Sequence, residues 1–120
     1  MRKYSYTLIV DDISNSTEYY KKHFSWTVKK ESDSFVIMET ESPLIFSMVR
    51  KEYLYQNLNI DETEIPERSF CTWIYDSEKQ LLDDKQELLN KGMVQIGTIG
   101  NFLKGKDGKI WELRKEGDII

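Results

Sequence analysis

Residues 69–75 read Ser-Phe-Cys-Thr-Trp-Ile-Tyr, and residues 4–10 read Tyr-Ser-Tyr-Thr-Leu-Ile-Val. Each run is rich in aromatic and β-branched side chains and alternates with a period of two, the pattern of a strand whose two faces meet different surroundings. Set 65 residues apart, the runs superimpose: Ser5, Thr7 and Ile9 fall on Phe70, Thr72 and Ile74, while Tyr6, Leu8 and Val10 fall on Cys71, Trp73 and Tyr75. The same shift places Ile45, Phe46, Ser47 and Met48 on Ile110, Trp111, Glu112 and Leu113. An internal repeat of this kind means that one supersecondary unit has been used twice.

Outward from Tyr4–Val10, Asp12 or Ser14 can cap a helix over 13–24, whose Ile13, Tyr20 and Phe24 share one face and whose Glu18, Lys21 and Lys22 lie on the wet side. Trp26–Lys30, Ser34–Thr40 and Pro43–Val49 then read as three short strands, divided by Ser32-Asp33 and Glu41-Ser42. Outward from Ser69–Tyr75, Ser77 and Gln80 form a capping box before a helix that carries Leu81, Leu82, Leu88 and Leu89 on one face and stops at Gly92. Val94–Ile99, Asn101–Lys104 and Lys109–Arg114 supply three more strands, the last two joined through Asp107-Gly108. Both halves therefore read β-α-β-β-β. The fold class is α+β: two modules, about 1–50 and 68–116, whose strands form a curved mixed sheet around a cup with the helices outside, within one domain spanning 1–120. An acidic connection, about 51–67, contains Asp61, Glu62, Glu64, Pro66 and Glu67 and is expected to be a lid or a solvated crossing, with Tyr53, Leu54 and Tyr55 its sticky positions.

Composition limits the function. With 120 residues, 39% hydrophobic and 12% aromatic, the chain can bury a core of its own. Its 17 Lys and Arg against 21 Asp and Glu give a net charge of -4, which disfavours nucleic acid as a partner. The longest uncharged apolar runs, such as Leu8–Val10 and Leu44–Phe46, are far below the ~20 residues that span a bilayer. The apolar stretch after Arg2 and Lys3 meets Asp11 and Asp12 too soon for a secretory signal, so a cytoplasmic location is expected. Cys71 is the single cysteine and His23 the single histidine, so neither an internal disulfide nor a two-histidine or multi-thiolate metal site is available. His23 falls on the first helix and reads as an ordinary helix residue. Cys71 reads as a small buried apolar residue, and Trp73 and Trp111 as core against the helices. Gly97 and Gly100 sit in a hairpin and not before a helix, so they make no phosphate-binding loop.

The run Ile9-Val10-Asp11-Asp12-Ile13 with Ser16 and Tyr19-Tyr20, and its counterpart Ile74-Tyr75-Asp76 with Leu88-Leu89-Asn90-Lys91-Gly92 and Lys106-Asp107-Gly108-Lys109-Ile110-Trp111-Glu112-Leu113, resemble the vicinal oxygen chelate superfamily. This is the group of glyoxalase I, bleomycin-resistance proteins, fosfomycin-modifying enzymes and extradiol dioxygenases. The resemblance covers nearly the whole chain, with two departures: Ser25 stands where a glycine usually ends the first helix, and Lys106 replaces a common proline. It implies a homodimer and, in the enzymes, a divalent metal on four side chains from the first and last strands of each module. Carried over by position, these ligands fall on Ser5, Ser47, Phe70 and Glu112, of which only Glu112 is a usual ligand. No metal or other cofactor is therefore expected, the weaker alternative being a divalent ion held through Glu112.

The ligand-binding candidates are the cup-facing residues Ser5, Thr7, Ser47, Phe70, Thr72, Glu112 and Arg114. Their hydroxyls can orient a ligand, while Phe70 and Ile74 supply apolar walls. Glu112 can bind a cation, pair with Arg114, or serve as a general base if the protein is an enzyme. The expected function is metal-independent binding of a small molecule, for sequestration or sensing, as in bleomycin-resistance proteins. The acidic charge and Glu112 lean this expectation towards a cationic or amphipathic ligand. The alternatives are a glyoxalase- or dioxygenase-like enzyme with a degenerate metal site or Glu112 as base, and an interaction module with a vestigial cup.

Overall fold

A computed structural model of the chain describes residues 3–57, 59–60, 62–97 and 100–117. The first module runs β1 (Lys3–Val10), α1 (Ile13–Phe24), β2 (Thr27–Glu31), β3 (Phe35–Glu39) and β4 (Ile45–Arg50). The second runs β5 (Ser69–Tyr75), α2 (Glu78–Asn90), β6 (Val94–Ile96), β7 (Phe102–Lys104) and β8 (Ile110–Lys115). The repeat holds at this level too, since β4 and β8 begin at Ile45 and Ile110 and end at Arg50 and Lys115, each pair 65 residues apart. The expected last part of the strand at 94–99 lies outside the described residues at 98–99.

Local chemistry sets the element ends. Asp12 caps α1 by accepting a hydrogen bond from the Asn15 amide at 2.9 Å, and Ser77 caps α2 by accepting one from the Gln80 amide at 3.2 Å. Ser25 ends α1 in the left-handed region at φ 60, a conformation that costs a residue with a Cβ about 1 kcal/mol. In module two the left-handed turn comes one residue later, past the cap Lys91, where Gly92 adopts φ 107 without that cost. The β7–β8 hairpin closes between the Gly105 amide and the Lys109 carbonyl at 3.0 Å, and Gly108 supplies the positive φ that the turn needs.

The strands form one eight-stranded sheet in the order β2-β3-β4-β1-β5-β8-β7-β6, curved and not closed. β1 and β5 are antiparallel neighbours at its centre, and each is parallel to the last strand of its own module, β4 or β8. The outer face is packed as the alternation requires. Tyr6, Leu8 and Val10 join Val36, Met38, Phe46 and Met48 beneath α1, while Trp73 and Tyr75 join Leu103 and Leu113 beneath Leu81, Leu88 and Leu89 of α2.

The connection between modules departs from one of the two sequence expectations. It is not a solvated crossing, because Leu54, Ile60 and Ile65 are each 1% exposed or less and pack into the cup against Ile9, Val49, Phe70, Phe102 and Ile110. A π-helical turn at Tyr53–Asn57 and a 3-10 turn at Glu62–Glu64 aim these side chains inward while acidic neighbours such as Glu67 stay exposed. Apolar burial holds this strap in place.

Candidate functional site

Strand pairing brings the expected site residues onto one face. Ser5, Thr72, Glu112 and Phe102 lie side by side across β1, β5, β8 and β7. Ile37, Ser47, Thr7 and Phe70 make a second row across β3, β4, β1 and β5. Arg114 lies two residues further along β8, opposite Ile74.

These residues do not all border the same space. Thr7 and Thr72 are 0% exposed, and Phe70 stands edge-on to Phe102 with ring centroids 5.2 Å apart, under the strap. The carboxylate of Glu112 is engaged internally through one oxygen: its Oε1 accepts from Thr72 Oγ1 at 2.8 Å and from Arg114 Nη2 at 2.5 Å. What remains open is the other end of the cup, a cleft of about 290 Å³. Ser5, Ser47 and Arg114 line it, with Ile37, Ile45 and Ile74 as apolar walls, whereas Thr7, Phe70, Thr72 and Glu112 do not reach it. Ser5 is buried with its hydroxyl unpartnered, and Arg114 Nε is likewise a buried donor without an acceptor.

The charge around the cleft runs opposite to the charge of the chain. Among the described residues, Lys3, Lys29, Lys30, Arg114 and Lys115 line it against one acid, Glu116. Lys3 is paired with Glu116, which raises its ammonium pKa, and Arg114 is paired with Glu112. Lys29 and Lys30 are consecutive, and a regular strand would send them to opposite faces. The register slips between Val28 and Lys30, and this bulge in edge strand β2 lets both reach the cleft. Sequence reasoning found neither lysine, because no periodicity marks a bulge. Ile45 and Ile37 were within its reach: Ile45 shares the parity of Ser47, and Ile37 is the residue that pairs with Ser47.

A metal does not fit the positions that the resemblance assigns to one. Phe70 has no donor atom, Ser5 and Ser47 offer neutral hydroxyls, and Glu112 is bound by Thr72 and Arg114. Among the described residues, no group of three or more His, Cys, Asp or Glu side chains is placed to hold an ion. The remaining reactive side chains lie elsewhere. His23 is exposed on α1 beside the Tyr19 ring at 4.6 Å. Cys71 is buried on the outer face and accepts a hydrogen bond from Tyr4 Oη at 3.1 Å, which together with burial pushes the Tyr4 phenol up to about 12. Trp111 is not in the cluster under α2. It stands half-buried beside Trp73, ring centroids 5.2 Å apart, with the Lys109 ammonium 5.1 Å from the centre of its ring.

No family model matches the chain, and no curated protein matches it. Solved structures do. A Legionella pneumophila structure described as an NAD-dependent benzaldehyde dehydrogenase superimposes with a TM-score of 0.70 at 12% identity, covering 93% of this chain and 97% of that one. A glyoxalase/bleomycin resistance protein/dioxygenase superfamily member from Vibrio splendidus 12B01 gives 0.63 at 14% identity, covering 97% and 100%. Methylmalonyl-CoA epimerase from Mycobacterium tuberculosis gives 0.56 at 9% identity, covering 96% and 86%. At these identities the likeness is one of fold, and the fold is that of the vicinal oxygen chelate proteins. No helix among the described residues is long and apolar enough to cross a membrane.

Proposed function

We propose that this vicinal oxygen chelate fold serves metal-independent binding of a small molecule, for sequestration or sensing, in the cleft bordered by Ser5, Ser47 and Arg114. The observation that carries this reading is the combination of an open cleft of about 290 Å³ with buried, unsatisfied donors at Ser5 and Arg114. That volume is at the low end of ligand sites, roughly 300–1,000 Å³, and favours a compact metabolite over a large drug. The strap supports the same conclusion by filling the rest of the cup with Leu54, Ile60 and Ile65.

The enzyme alternative receives less support. Glu112 does not border the cleft, and its carboxylate is held by Arg114 and Thr72, so a base at that position has no substrate in reach. The dinucleotide chemistry named for the Legionella protein is not carried over, since all 6 glycines follow α2 and none lies in a turn that leads from a strand into a helix.

A thermal-shift screen of small metabolites, run with and without a chelator, tests the reading. Hits should persist in chelator and disappear in Ser47→Trp, whose indole fills the cleft. Hits that vanish with chelator would overturn metal independence, and hits that survive Ser47→Trp would place the ligand elsewhere.

A further inference from the structure

We propose that the cleft selects a compact organic anion, with its charged oxygens set against Arg114 and the β2 lysines and its apolar body against Ile37, Ile45 and Ile74. The inference rests on the binding reading above and names the class of ligand. It reverses the cationic preference drawn from the net charge and Glu112.

Charge bookkeeping at the cleft decides the sign. Among the described residues, five cations line it against Glu116 alone, and counting Glu112 behind Arg114 as a second acid still leaves an excess of three positive charges there, on a chain whose net charge is -4. Lys3 is neutralised by Glu116, with Asp76 adding to the field from outside the lining. Lys29, Lys30 and Lys115 have no ion-pair partner among the described residues. Such a concentration of one sign at a concave, partly apolar surface focuses the potential and draws in the opposite charge.

The hydrogen-bonding inventory agrees. Arg114 Nε and the Ser5 hydroxyl are buried without acceptors, and a buried unpaired donor costs about 1–3 kcal/mol. A carboxylate or phosphate oxygen offers lone pairs to both groups, whereas an ammonium offers none. The Glu112 carboxylate fixes one face of the guanidinium through Nη2 and leaves Nε for a second acceptor. Above the charged floor, the three isoleucines supply apolar contact for a short carbon chain.

The test uses matched probes on the full chain: hexanoate, hexyl phosphate, hexylammonium and hexanol, titrated by amide chemical shift at Ser5, Ser47 and Arg114. Hexanoate or hexyl phosphate should bind at least about tenfold more tightly than hexanol. Hexylammonium should leave these resonances unmoved. The winner between the two anions identifies the head group. The double variant Lys29→Glu, Lys30→Glu, on an exposed edge strand, should keep its thermal midpoint and lose most of that preference; added salt should weaken the anions and not hexanol. Hexanol binding as tightly as hexanoate overturns the anion preference and leaves the binding reading standing. Hexylammonium binding more tightly than either anion, or anion affinity unchanged in the double variant, also overturns the preference alone. If no probe moves the cleft resonances, both readings fall.

Discussion

Glu112 is the only one of the four positions assigned to a metal by resemblance that retains a usual ligand, and its environment gives it a structural task. It is 6% exposed and shares Oε1 between Thr72 and Arg114, so the pair is a buried, hydrogen-bonded ion pair at the root of β8. Removing one partner of such a pair strands the other charge. Glu112→Ala should therefore lower stability by about 3 kcal/mol in urea unfolding, with Glu112→Gln costing less because it preserves an acceptor for Thr72. A loss under about 1 kcal/mol for Glu112→Ala would mean that Arg114 finds solvent or another partner on its own. The sequence suggested this carboxylate as a site because its parity and repeat position are readable. Its engagement with Arg114 was also readable as one option, but choosing between a partner and a ligand needs the depth of the cup, which depends on the strap.

At the scale of elements, the strap is where physical reasoning from sequence fell short. Ile60 and Ile65 are isolated among acidic residues and Pro66, so no period of 2 or 3.6 marks them as buried. Periodicity did mark β1, α1, β5 and α2, because each repeats its apolar positions and is echoed 65 residues away. Burial of the strap carries a stability consequence. Ile65→Ala should cost about 3 kcal/mol, within the usual range for a truncated core aliphatic, while Glu67→Ala at an exposed position should change stability by less than about 0.5 kcal/mol. Equal and negligible effects from both would return the segment to a solvated crossing. The ends of the strap are held electrostatically: Asp11, after β1, accepts from Arg68 at 2.7 Å and sits 3.2 Å from Lys51. These cations hold the Asp11 carboxyl below its ordinary range. A depressed carboxyl contributes stability above its unfolded pKa of about 3.9 and loses it as pH falls through the folded value. Asp11→Asn should accordingly be slightly less stable than the parent at pH 7, modestly so because the group is exposed, and the difference should shrink as pH falls below about 4 in chemical denaturation.

At the scale of the whole molecule, duplication and cooperativity pull in different directions. Each module has its own outer cluster beneath its own helix, which favours two units that melt separately. The inner cluster opposes that separation. It joins Ile9 and Val49 of the first module to Phe70, Ile96, Phe102 and Ile110 of the second through Leu54, Ile60 and Ile65 of the strap. The antiparallel β1–β5 ladder crosses the same boundary from Lys3 to Leu8. Losing either module would open this inner core to water, so the coupling should exceed the independent stability of either half, and the chain should unfold as one domain. The 3 tryptophans provide separate probes, with Trp26 packed on Phe46 in module one and Trp73 and Trp111 in tilted contact in module two. A Trp26→Phe variant therefore reports only the second module, and a Trp73→Phe, Trp111→Phe variant only the first. After each is referenced to its own circular-dichroism transition, fluorescence and secondary-structure midpoints in urea should coincide for both variants. A fluorescence transition that departs from the circular-dichroism curve in either one would show that the outer clusters dominate and that the strap does not couple the halves. Adding Ile65→Ala to each variant sharpens the measurement, because a strap that carries the coupling should shift both midpoints down together rather than splitting them.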